Sequence, residues 1–443
     1  MSFPHLRLRQ PTSELIDLPW EKPLEAWPVA SLPFRELDVG PSRHVVRFLA
    51  IGSGTLALKE LPLEVGRSEF DVLRRLETRE LPAVRAVGIA EAEERDSAIL
   101  VTEYLAHSLQ YRRLLTRLPA GPYRDRVMDG MASLLVDLHR AGVYWGDCSL
   151  ANTLFQRDGD KIQAYLVDAE TSEIHPSLSD GQRDLDLEIL VENVAYGLAD
   201  LAMSQLRDTD LDLDEAIVAA KGVRTRYLAL WDELMSTHEL MASDRQAIRA
   251  RIRRLNDLGF WVEEIELEPS QAGQRVKMKV AVTNRTYHSR RLQRLTGLVA
   301  LEGQARLLLN DMHEYTTWLE TAEGRPMSEA AGAQRWLERV LEPTIVELTP
   351  LIGPDRDPLQ AYCDVLEEKW ILSERARHDV GLRTAIDSYL QLGAPAPEAG
   401  SPDAPPDVHP KPPRRTRARP LAGGATARRT RATRSIPRTD PLP

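Results

Sequence analysis

The stretch YWGDCSLANTLF, Tyr144–Phe155, with LVDAE, Leu166–Glu170, just downstream, decides how this chain is read. Asp147 stands five positions before Asn152, and a short apolar run then delivers a second aspartate, Asp168. Alone, either spacing is common by chance, and an aspartate at such a place is ordinarily a turn or cap residue. The setting changes the reading. Upstream, YRDRVMDGMASLLVDLHRAG puts Val127, Met131, Leu134, Leu135 and Leu138 on one helical face, with Gly142 as its stop. Downstream, the run ending at Asp168 reads as a buried strand.

Outward from there the chain divides in character. Residues 1–33 are Pro-rich and polar and read as an extended N-terminal arm. FRELDV and HVVRFLAI read as strands, and Gly52-Ser53-Gly54 turns the chain into TLALKEL, a third strand. SEFDVLRRLETREL is helical, with Phe70, Leu73 and Leu76 on one face, and AVRAVGIAEA and SAILVTEYL are two more strands. After Leu105 helices dominate, including DLEILVENVAYGLADLAM. An antiparallel sheet lobe followed by a helical lobe is an α+β plan. A second unit is expected over 236–392, mostly helical, with WVEEIELEP and RVKMKVAVT as a β-hairpin. Residues 393–443, rich in Pro, Ala and Arg, lack the apolar surface to offset chain entropy and are expected to be a disordered basic tail.

Composition narrows the function classes. The chain has 443 residues, 42% hydrophobic and 28% charged, as in globular domains with real cores. It contains no apolar run long enough for a membrane span, and its N-terminal stretch lacks an apolar signal core. With only Cys148 and Cys363 as cysteines, a cytoplasmic protein without a disulfide framework is expected. The last fifty residues hold ten Lys/Arg and four Asp/Glu; the whole chain carries −10, so the body carries −16. An acidic body argues against a specific nucleic-acid binder, although the basic tail suits contact with an anionic partner.

Phosphoryl transfer from a nucleotide needs cations across the phosphates, a carboxylate holding those cations and a carboxylate near the attacking hydroxyl. The sequence offers each in workable order. Lys59, in ALKEL on the third strand, can reach phosphate oxygens, and Glu69 on the next helix can anchor it. Asp147 can orient or accept the proton of an acceptor hydroxyl. Asn152 can offer an amide oxygen to Mg²⁺, and Asp168 can bind the same or a second ion.

This arrangement resembles the protein-kinase-like superfamily, and within it the small-molecule branch of aminoglycoside-kinase-like and lipopolysaccharide-core-kinase-like families. Those often write the catalytic loop as HGD with Asn following; here it is WGDCSLAN. ILVTEYL is similar to the hinge between lobes, with Thr102 at the gatekeeper place. The resemblance implies that the backbones of Glu103 and Leu105 face adenine, that Asp147 is the catalytic base, and that ATP and Mg²⁺ are used. It covers about residues 34–235, the expected kinase-like domain. The whole length to about residue 391 resembles an uncharacterised bacterial family that joins such lobes to a C-terminal domain of unknown function.

Departures from the pattern are specific. Only Gly40 lies in the first turn, and Trp145 stands where histidine is usual. Lys59 to Glu69 is a short interval, leaving Glu64 or Glu77 as alternative anchors. VDAE is followed by no long activation segment, which favours a small-molecule or sugar hydroxyl over a peptide as acceptor. The expected function is an ATP- and Mg²⁺-dependent phosphotransferase; the alternative is an inactive kinase-like protein that binds nucleotide as a sensor or scaffold. Cys148 has no histidine near it in sequence and reads as structural rather than nucleophilic. The cluster His288, Arg290, Arg291 and Arg294 reads as a salt-bridged helix face, with an anion site as the alternative.

Overall fold

The computed structural model describes residues 5–37, 43–52, 54–117, 122–204, 213–241, 245–269, 275–353 and 356–395. Gly40 of the first turn, Ser53 and most of the expected tail lie outside the described residues.

The first lobe is built on β1 (His5–Leu8), β2 (Phe34–Arg35), β3 (Val46–Ile51), β4 (Gly54–Pro62), β5 (Ala86–Ala92) and β6 (Ser97–Glu103), in the antiparallel order β1-β5-β6-β4-β3-β2. The N-terminal segment differs from the extended arm expected. It adds β1 to the sheet edge, makes the short helix α1 (Ser13–Ile16), and buries Leu15, Leu18, Trp20, Leu24 and Trp27 against Leu49, Leu58, Ile99 and Val101. Trp20 and Trp27 meet edge to face at 5.2 Å. The prolines break regular structure there, but the apolar residues between them still cover one sheet face.

The other face takes the helix α2 (Leu63–Thr78). Side chains alternate along β4, so Lys59 and Leu61 share the face on which α2 packs, while Leu56 and Leu58 face the N-terminal segment. On α2, Glu69, Leu73 and Leu76 form one buried stripe at helical spacing.

The second lobe contains β7 (Ser108–Gln110), α3 (Tyr111–Arg117), α4 (Pro122–Arg140), β8 (Val143–Tyr144), β9 (Thr153–Asp158), β10 (Lys161–Leu166), β11 (Glu173–Ile174), α5 (Asp180–Ser204) and α6 (Leu213–Met235). β9 and β10 form a hairpin, and β7 pairs with β9. Where β10 ends, Leu166 N–H donates to Pro82 O and Leu166 O accepts from Val84 N–H, both at 3.0 Å, tying this lobe to the chain that leaves α2.

Beyond these lie β12 (His238–Met241), α7 (Arg245–Asp257), β13 (Phe260–Pro269), β14 (Arg275–Arg285), α8 (Tyr287–Thr296), α9 (Glu302–Glu323), α10 (Glu329–Trp336), α11 (Glu342–Ile352), α12 (Pro358–Ala376) and α13 (Gly381–Gln391). The expected β13–β14 hairpin gains β12 as a third strand, in the order β12-β14-β13. This helical region grips the β9–β10 turn. Asp158 Oδ1 accepts from Gln304 N at 2.7 Å, Gly159 exchanges two hydrogen bonds with the Gln360 amide, and Arg157 pairs with Asp364 at 2.7 Å. Gly159 has φ +63°, and a Cβ there would lie 2.9 Å from the Gly303 backbone; a Cβ on Gly303 would lie 2.3 Å from Asp158 O. Glycine at both positions is what allows the turn to sit on the start of α9. Residues 393–395, expected to open the tail, are held in place, since Arg356 donates to Ala394 O at 2.6 Å.

Candidate active site

The stripe on α2 and the alternation on β4 bring Glu69 to Lys59. The Lys59 ammonium lies 3.2 Å from Glu69 Oε2, 2.9 Å from Asp168 Oδ2 and 3.9 Å from Glu170 Oε2. Of the three candidate anchors, Glu69 is the one in place; Glu64 pairs with Arg67, and Glu77 with Arg9 and Arg85. Glu69 is only 1% exposed, and its second oxygen accepts from Ala169 N at 3.2 Å. Burial raises the Glu69 pKa to about 7, against the opposing pull of Lys59, and the neighbouring Asp168 adds to the rise. For Lys59 burial acts to lower the pKa, but Glu69 and Asp168 outweigh it and hold the ammonium charged.

The loop before β9 is organised from below by α5. Asp186, fully buried at its N-terminal end, accepts from Trp145 N at 2.7 Å, Gly146 N at 2.8 Å and Cys148 Sγ at 3.2 Å. His139, at the end of α4, lies 3.0 Å from Asp186 and 2.8 Å from the Tyr227 hydroxyl. Burial lowers the His139 pKa and so keeps the ring neutral. A carboxylate only accepts, so Nε2 carries the proton and Nδ1 takes the one from Tyr227. Gly146 has φ +80°, and a Cβ there would meet Thr171 O at 2.9 Å, so the loop turns under the segment that follows Asp168.

Asp147 projects from this loop. Its Oδ2 accepts from Asn152 Nδ2 at 2.9 Å and its Oδ1 from Asn193 Nδ2 at 3.5 Å; Asn193 also donates to Cys148 O at 3.0 Å. Val167 N–H donates to Asn152 O at 3.1 Å, which sets Asn152 beside the strand end that carries Asp168. Trp145 donates its indole N–H to Asp168 O at 3.3 Å, so the residue in the histidine position links the loop to the acidic strand end. Because Asn152 spends its amide donors on Asp147, its oxygen is left as an acceptor. Asn152 and Asp168 are then hard oxygen donors of the kind that hold Mg²⁺ together with substrate phosphates, rather than in an all-protein cage.

Glu103 and Leu105 sit at the exit from β6. Glu103 donates its N–H to Arg85 O at 2.9 Å and pairs its carboxylate with Arg85, while Leu105 O accepts from Ser108 Oγ at 2.7 Å. No hydrogen bond ties either to Lys59, Asp147 or Asp168 among the described residues. Cys148 is buried, and its environment raises its pKa, burial first and then Asp186, so it is an unreactive thiol. Glu170 holds His44 at 3.0 Å.

Sequence reasoning missed Asp186 and Asn193. The only signal for Asp186 is an acidic residue on the buried stripe of a helix, beside Leu187 and Leu190, where a charge demands partners.

A two-lobed fold with a lysine–glutamate pair, a loop aspartate and an acidic strand end between the lobes defines a kinase-like protein. Residues 55–212 match the family model described as the lipopolysaccharide kinase (Kdo/WaaP) family, and residues 229–392 match a domain of unknown function, DUF4032. The chain thus joins a Kdo/WaaP-type kinase-like region to a DUF4032 region. No curated protein matches it. Among solved structures it is similar to WaaP in complex with acyl carrier protein, at 20% identity and a TM-score of 0.33, over 52% of this chain and 98% of that one. No helix is long and apolar enough to cross a membrane among the described residues.

Proposed function

We propose that the chain is an ATP- and Mg²⁺-dependent phosphotransferase acting on a hydroxyl of a small molecule or sugar. The observation that carries this reading is the position of Lys59, 2.9 Å from Asp168 and 3.2 Å from Glu69. A cation beside a partly exposed carboxylate suits a nucleotide's phosphates and their metal. Lys59 contacts the phosphates and Glu69 fixes Lys59. Asn152 and Asp168 hold Mg²⁺, which when bound neutralises charge on the phosphate oxygens. Asp147, oriented by Asn152 and Asn193, takes the acceptor hydroxyl's proton, and the backbones of Glu103 and Leu105 face adenine.

The acceptor class has two supports. The chain passes from Asp168 to the start of α5 at Asp180 through little more than β11, leaving no long platform for a peptide. The matched family is named for lipopolysaccharide kinases, which act on a sugar-bearing substrate. The test is transfer of labelled γ-phosphate from ATP to a panel of sugars and small alcohols, with Asp147→Asn and Asp168→Asn as controls. Transfer to one acceptor class, lost in both variants, supports the reading. Nucleotide binding without transfer to any acceptor, unchanged by Asp147→Asn, selects the sensor or scaffold instead.

A further inference from the structure

Away from the kinase-like cleft, α4, α6, α7, β10 and α9 line an open pocket of about 440 Å³. That lies in the range of small-molecule sites. Its cations are unequally compensated. Arg126, Arg226, Arg254 and Arg306 each have a carboxylate partner, at 3.2, 2.6, 3.1 and 2.7 Å. Lys161 has no such partner among the described residues, and Arg285 has only Asp137, at 3.5 Å.

Lys161 opens β10, and its side chain makes no hydrogen bond or ion pair among the described residues. Arg285 ends β14 with its side chain 17% exposed. Its guanidinium lies over the Phe260 ring at 5.0 Å and pairs with Asp137 at 3.5 Å, but no side-chain donor makes a hydrogen bond among the described residues, and Nε is buried without one. A largely buried guanidinium with unfilled donors costs stability unless something fills them. The Lys161 pKa is depressed, by desolvation first and then by Arg285 and Arg306, with Asp160 and Asp158 opposing.

The carboxylates that line the same space are mostly engaged elsewhere. Asp158 accepts from the start of α9, Asp129 takes Arg226, Glu233 takes Arg251 and Arg254, and Glu302 accepts from His288 and Ser289. Asp257, exposed on α7, is the lining carboxylate without a partner among the described residues. Ala132, Ile162 and Leu230 add an apolar wall.

We propose that this pocket binds a small phosphate-bearing molecule, with Lys161, Arg285 and Arg306 on the phosphate and the apolar wall against its body. The planar arginine fork and the point charge of lysine are the groups that hold phosphate oxygens. The site is joined to the catalytic loop by a short route: Arg285 faces Asp137, and Asp137 lies one position from Leu138 and two from His139, the partner of Asp186.

The test uses the full chain carrying Lys59→Ala, so that the kinase-like cleft cannot hold phosphate, and titrates inorganic pyrophosphate calorimetrically without magnesium. Saturable one-to-one binding is expected to persist in that background. It should weaken by about tenfold or more when Lys161→Ala or Arg306→Gln is added, and return with Lys161→Arg. The Lys161 side chain makes no hydrogen bond or ion pair among the described residues, so its alanine variant should melt like the parent, which separates lost binding from lost fold. No saturable binding in the Lys59→Ala background, or binding unchanged by both pocket substitutions, overturns the proposal.

Discussion

Asp186 Oδ1 and Oδ2 hold two successive backbone N–H groups, Gly146 at 2.8 Å and Trp145 at 2.7 Å, from a position forty residues further along the chain. The loop that presents Asp147 is therefore shaped by a buried carboxylate on α5. Replacing it strands those N–H groups and the Cys148 thiol without an acceptor. Asp186→Ala is expected to cost about 3–5 kcal/mol of stability, and denaturant unfolding measures it. A loss under about 1 kcal/mol would show that the loop finds other acceptors.

Trp145 is a finer probe of the same loop. It is fully buried, and its indole N–H reaches Asp168 O at 3.3 Å. Trp145→Phe keeps most of the packing and removes that bond, so about 1 kcal/mol is expected in a thermal melt. Trp145→Ala empties the volume and should cost about 3–5 kcal/mol. Similar values for the two would mean that the hydrogen bond, not the packing, sets the cost.

The turn joining the kinase-like hairpin to α9 makes a third prediction. A Cβ on Gly303 would lie 2.3 Å from the Asp158 carbonyl, a backbone atom that cannot swing aside. Gly303→Ala is expected to lower stability by about 1–3 kcal/mol, read from denaturant midpoints. Ala placed instead at Gly324, whose Cβ would meet nothing within 4 Å but whose φ is +65°, gives the cost of backbone conformation alone. Equal losses at the two sites would exclude the contact as the cause.

Glu69 gives a pH dependence of known sign. Its pKa is raised to about 7 in the folded chain from 4.5, burial being the main cause. Its protonation therefore favours the folded state: that contribution is fully present below pH 4.5 and is lost as pH rises through 7. Glu69→Gln removes the titration. The difference in stability between wild type and Glu69→Gln should change across that window, with wild type losing ground as pH rises. A difference that stays flat with pH contradicts the burial argument.

How much of this was legible in the sequence follows from the range of each interaction. Alternation on β4 and the stripe on α2 are local patterns, so Lys59 and Glu69 could be named as a pair, although the short interval between them left Glu64 and Glu77 as alternatives. Asp147 and Asn152 lie in one loop and were equally readable. Asn193 and the Gly159–Gly303 contact depend on elements distant in sequence, with no local periodicity to mark them, and the buried stripe of α5 marks Asp186 as needing partners without saying which. Trp20 and Trp27 show the opposite failure. Prolines around them break regular structure and suggest an extended arm, but burial of two indoles on a sheet face wins over the lack of a helix or strand pattern.

The central claim is that Lys59, Asn152 and Asp168 form one Mg·ATP site. Calorimetric titration of Mg·ATP into wild type and into Lys59→Ala, Asn152→Ala and Asp168→Asn tests it most directly. The account predicts saturable binding to wild type, weakened by about tenfold or more in each variant, with the two metal-ligand variants losing their dependence on magnesium. Binding of equal strength in all four proteins, or none to the wild type, would contradict it.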